Sequence, residues 1–120
     1  MAQTRPQDTL DRLCEGFPSF ADWWAKEEAP SEDGLVDGVY YEWTHHRVVA
    51  EFLTYFSANP AQFTPKQLKW LGDWINDAVS AGGDLESAVS TCFLEHMRQV
   101  GINRVLAPYL SRQAKVRSHA

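Results

Sequence analysis

Glu42 and His45 stand three residues apart with His46 beside them, and on a helix that spacing puts a carboxylate and an imidazole on one face, as in the carboxylate-histidine motifs of di-iron bundles. Such a centre needs a second pair and two further carboxylates. The other neighbouring acid and histidine, Glu95 and His96, are adjacent, so on a helix they diverge by about 100 degrees. Closed metal sites usually take four well-spaced ligands, and this set does not provide them, so no metal is expected. Cys92 has His96 one helical turn further on, the only hint of a thiol with a base beside it. Cys92 also lies inside an apolar pattern, which makes it a small core residue. With no GxSxG, P-loop or GxGxxG motif in the chain, neither catalytic residues nor a cofactor are expected.

Binding chemistry is better represented. Between Asp22 and Trp43 there are seven carboxylates (Asp22, Glu27, Glu28, Glu32, Asp33, Asp37, Glu42) and five large aromatics (Trp23, Trp24, Tyr40, Tyr41, Trp43) around one cation, Lys26. Carboxylates keep a segment solvated, whereas Trp and Tyr seek contact, so the mixture suggests a surface completed by a protein partner. Trp23 and Trp24 are adjacent and cannot both point straight into one core, which leaves one of them available. An aromatic patch of this kind would also suit a symmetric homodimer.

The net charge of -5 is unevenly placed. Residues 1–60 carry 11 acids and 4 bases, whereas residues 61–120 carry 5 acids and 7 bases. An acidic first half opposes binding to a phosphate backbone, whose affinity comes from Lys and Arg. The C-terminal bases Arg104, Arg112, Lys115 and Arg117 read as a solvated helix face and tail. A helix-turn-helix across residues 64–100 fails on sign, because its second helix would hold Asp84, Glu86 and Glu95 against Arg98 alone. No nucleic-acid partner is expected. No apolar run reaches the roughly 20 residues of a membrane span, and the polar start lacks a signal-peptide pattern, so a cytoplasmic location without membrane contact is expected. Cys14 and Cys92 lack any ligand spacing and are expected to be reduced and partly buried.

The elements that position these residues read as helices. Residues 1–7 are expected to form a loose arm. Asp8 is placed as the N-cap of a short helix through Leu10, Leu13 and Cys14 that Gly16 stops. Ser19 then caps a second helix, in which Phe20, Trp23 and Trp24 form an apolar stripe. Residues 29–38, with Pro30, Gly34, Gly38 and three acids, read as an acidic loop. Helical periodicity returns over residues 39–58, with Val49, Phe52, Leu53 and Phe56 on one face and Tyr41 a heptad before Val48. Residues 36–43, VDGVYYEW, have the Val and Tyr content of a short strand, but a single strand would have nothing to pair with. Thr64 and Pro65 begin a fourth helix with stripe Leu68, Leu71, Ile75, Ala78 and Val79, flanked by Trp70 and Trp74. Gly82 and Gly83 turn the chain. A fifth helix is expected to run from Asp84 to Val100, with Leu85, Ala88, Val89, Cys92, Phe93, Met97 and Val100 inward until Gly101 ends it. Residues 102–115 are expected to form a final segment in which Pro108 is a break or a fresh helix start, and 116–120 are expected to fray. The expected fold is all-α: an irregular bundle or array of five to six helices forming a single domain over 8–115.

The run GDLESAVSTCFLEHMRQVGI (residues 83–102), with KQLKWLGDWI before it and LAPYLS after, resembles small helical bacterial proteins of the immunity type, encoded beside polymorphic or contact-delivered toxins. The likeness covers roughly residues 48–115 and centres on Thr91-Cys92-Phe93-Leu94-Glu95. It implies a non-enzymatic cytoplasmic inhibitor that neutralises a cognate toxin domain by covering its active site or blocking a required motion. An acidic inhibitor of a basic toxin would gain steered association. Trp23, Trp24, Tyr40 and Tyr41 would then serve as apolar anchors. Glu27, Glu28, Glu32, Asp33, Asp37 and Glu42 would steer and pair. The competing expectation is a bacterial adaptor or regulatory subunit that docks the same acidic face on another complex.

Overall fold

All six phenylalanines of the chain are buried, and they mark where its helices meet. The computed structural model describes residues 6–27, 35–36, 39–40, 44–97 and 99–118. Its first helix, α1 (Pro6–Gly16), starts at a proline, whose missing N–H costs nothing in the first turn. Asp8 therefore lies inside the first turn, where its charge suits the helix dipole, and Pro6 and Gln7 belong to the helix instead of a loose arm. Thr9, Leu10 and Leu13 face inward. Phe17, in the one-residue link to α2 (Pro18–Glu27), continues that line. Its ring makes edge contacts with Phe52 at 5.1 Å, Phe63 at 5.2 Å and Trp70 at 5.8 Å.

Ser19 does not cap α2. Pro18 takes the first helical position, and the Ser19 hydroxyl instead bonds the Tyr55 phenol. Beyond α2, Leu35–Val36 (β1) and Val39–Tyr40 (β2) pair antiparallel, with Leu35 opposite Tyr40 and Val36 opposite Val39. The expected helix over 39–44 is thus absent at its start. Thr44 is extended, its Oγ1 accepts the Arg47 N–H at 3.1 Å, and α3 runs only over His45–Ala58. The inner face of α3 carries Val48, Val49, Phe52, Leu53 and Phe56, with Tyr55 also buried.

A short 3₁₀ turn at Pro60–Gln62 leads into α4 (Pro65–Ala81). Its start is a full capping box: Thr64 Oγ1 accepts the Gln67 N–H at 3.2 Å, and Gln67 Oε1 accepts the Thr64 N–H at 3.0 Å. Phe63, just outside the cap, is buried where a hydrophobic staple residue sits. Gly82 and Gly83 both adopt the left-handed conformation, with φ of 77° and 78°, and reverse the chain into α5 (Gly83–Cys92). Helix α5 packs between α3 and α4.

The expected long helix to Val100 ends at Cys92, with a 3₁₀ turn at Leu94–His96. Phe93, Leu94 and Met97 are all buried, and on one straight helix the first two would point about 100 degrees apart. Breaking the helix at Phe93 lets its ring stack on Phe52 at 6.2 Å while Leu94 also turns inward. Val100, expected inside, is exposed. The chain then forms α6 (Asn103–Leu106), a 3₁₀ turn containing Pro108, and α7 (Arg112–Ser118), which carries helix into the expected tail.

Asn76 secures this last segment to α4. Its Nδ2 donates to the Tyr109 carbonyl at 3.1 Å and its Oδ1 accepts the Ser111 N–H at 2.7 Å. Gln113 Nε2 donates to the Val79 carbonyl at 3.1 Å, one of the C-terminal acceptors that α4 cannot satisfy itself. The result is an all-α array around one hydrophobic core, joined by a two-residue-per-strand hairpin. Its radius of gyration, 14.3 Å, matches the about 14 Å of a compact domain of this length.

Candidate functional site

The acidic, aromatic stretch joins α2 to α3, and these two helices are fixed to each other by three kinds of contact. The Phe20 ring meets Phe52 edge-on at 5.1 Å; the Ser19 hydroxyl meets the Tyr55 phenol; and Trp23 Nε1 donates to Glu51 Oε1 at 2.6 Å. Burial pushes the Tyr55 phenol above its ordinary range, so it stays a neutral hydroxyl at physiological pH. The Trp23 ring also lies edge-on to Tyr55 at 5.7 Å.

The two adjacent tryptophans therefore divide their roles. Trp24 is only 8% exposed and packs against Phe20 at 6.1 Å, so it belongs to the core and its expected part as a surface anchor is corrected. The Phe20, Trp23, Trp24 stripe needs one ring at the core and one at its edge, and α2 turns Trp24 inward. Trp23 is half-buried and keeps one edge at the surface beside Glu51. Asp22 and Lys26 are exposed on the same helix.

Glu27 is the last residue of α2, and Tyr40 lies in β2 opposite Leu35. Glu28, Glu32, Asp33, Asp37, Tyr41 and Glu42 lie outside the described residues. Glu51 was not among the residues singled out by composition. Its signal was available: on a helix whose buried face runs through Phe52 and Tyr55, an acid at 51 falls at the border of that face.

Glu42, the carboxylate of the Glu42-His45 spacing, lies outside the described residues; Thr44 is extended and α3 begins at His45. His45 is buried, and its Nδ1 pairs with Thr9 Oγ1 at 2.9 Å, tying α1 to the start of α3. His46 Nδ1 lies 3.2 Å from Cys92 Sγ. The partner of Cys92 is thus His46, from another helix; His96 instead pairs with Gln99 Oε1 at 2.9 Å. Sequence spacing could not find a contact between residues 46 positions apart.

Burial, and after it the Glu95 charge, pushes the Cys92 thiol above its ordinary range. Reactive cysteines need the opposite environment, one that favours thiolate. The protonated thiol can donate to His46 Nδ1 when the ring carries its proton on Nε2, a contact that holds α5 to α3. Burial likewise raises the Cys14 thiol, with Asp11 adding to the shift. Among the described residues no three His, Cys, Asp or Glu side chains gather as a metal-binding group. No described helix is long and apolar enough to cross a membrane.

Compared with known proteins, the chain matches no family model, no curated protein and no solved structure.

Proposed function

We propose that the chain is a protein-binding inhibitor of the immunity type, acting in the cytoplasm without catalysis or cofactor, that neutralises a toxin domain through the acidic segment between α2 and α3. The observation that carries this reading is the concentration of charge: seven carboxylates against one lysine over residues 22–43, in a chain whose other half is nearly balanced. A surface of that sign suits a basic protein and opposes nucleic acid. The resemblance of residues 83–102 to immunity proteins points the same way. Those residues hold α5 and the turn after it, packed against α3 and α4, so their part is to build the scaffold.

The test is co-expression with the toxin domain encoded by the adjoining gene. Restored growth together with a stoichiometric complex is expected; full toxicity at equal expression, with no complex, would sink the proposal. Within a complex, Glu32→Lys with Asp33→Lys should slow association about tenfold at low salt, and the difference should shrink as salt rises. An association rate indifferent to both changes would remove the acidic segment from the interface.

A further inference from the structure

We draw no further inference here: the strongest candidate, the Cys92–His46 pair where the end of α5 meets the first turn of α3, is one thiol and one imidazole with the thiol held protonated, and among the described residues no third metal-ligating side chain joins it.

Discussion

Replacing Gly72 by alanine sets two physical effects of opposite sign against each other. Gly72 lies in the middle of α4, where alanine is favoured over glycine by about 1 kcal/mol, so helix propensity alone predicts a more stable protein. A Cβ at that position would sit 2.5 Å from the Tyr109 Cβ and 2.6 Å from the Tyr109 carbonyl oxygen. Neither neighbour is the far end of a flexible side chain, so relief requires the backbone at 109 to move. Overpacking of this kind costs about 1–3 kcal/mol. The same carbonyl accepts the Asn76 amide at 3.1 Å, and displacing it weakens a hydrogen bond with a net value of about 1 kcal/mol. The clash and the weakened bond outweigh the propensity gain, leaving a net loss of about 1–3 kcal/mol. For a chain of this size that lowers Tm by roughly 4 °C per kcal/mol. Urea unfolding of Gly72→Ala, alone and combined with Asn76→Ala, measures both the cost and its sharing. The combined cost should be less than additive, because both changes loosen the same docked segment. A Gly72→Ala protein as stable as the wild type, or more stable, would refute the close approach of α4 and residue 109.

Trp24→Ala should cost about 3–5 kcal/mol in chemical denaturation, as expected of a core aromatic, whereas Asp22→Asn on the exposed side of the same helix should stay within about 0.5 kcal/mol. Glu51→Gln replaces a charged acceptor for Trp23 Nε1 with a neutral one and should cost about 1 kcal/mol; a double-mutant cycle with Trp23→Phe should return most of that as coupling. The raised Cys14 and Cys92 thiols bind protons more tightly in the folded state than in the unfolded chain. Their contribution is therefore complete below the unfolded thiol range, near about pH 8.5, and is lost as pH rises through the folded values. Stability measured by urea unfolding should fall above that range, and Cys14→Ser with Cys92→Ser should flatten the fall; an unchanged slope in the double variant would contradict it.

The elements legible in the sequence were those fixed by neighbours within a turn or two. Thr64 followed by Pro65 marked the start of α4, and the 3.6-residue spacing of Val49, Phe52, Leu53 and Phe56 marked the buried face of α3. The differences have two sources, a local hairpin signal and contacts between residues far apart in sequence. Helical periodicity reads back across residues 39–44, although Leu35-Val36-Asp37-Gly38-Val39-Tyr40 has Asp-Gly between two apolar pairs, the strongest short hairpin signal. Residues 36–43 read as one unpaired strand, yet that run contains a turn: Val36 pairs with Val39 across Asp37 and Gly38. The break after Cys92 carries no Gly or Pro; it follows from burying both Phe93 and Leu94 against helices far away in sequence. The choice between Trp23 and Trp24 likewise depended on where Phe20 and Tyr55 would lie.

The inward turn of Trp24 bears on any binding role for residues 22–43. With Trp24 in the core, Trp23, which donates to Glu51, is the tryptophan that α2 leaves partly exposed. In the proposed complex the steering charges then lie on a segment joined to the folded core at both ends, at Glu27 and at Thr44. Fixing both ends removes part of the conformational freedom that a free acidic tail would lose on binding, so less of the contact energy is offset by ordering. In the proposed complex the cluster of Phe17, Phe20, Phe52 and Tyr55 would act on recognition only by holding α2 against α3. Loosening it by Trp24→Ala should reduce the fraction of folded, binding-competent protein, while the association rate of the molecules that remain folded keeps its salt dependence. Charge reversal at Glu32 and Asp33 should do the reverse, leaving unfolding unchanged and flattening the salt dependence. If both variants changed the salt dependence alike, scaffold and steering could not be separate functions in the proposed complex.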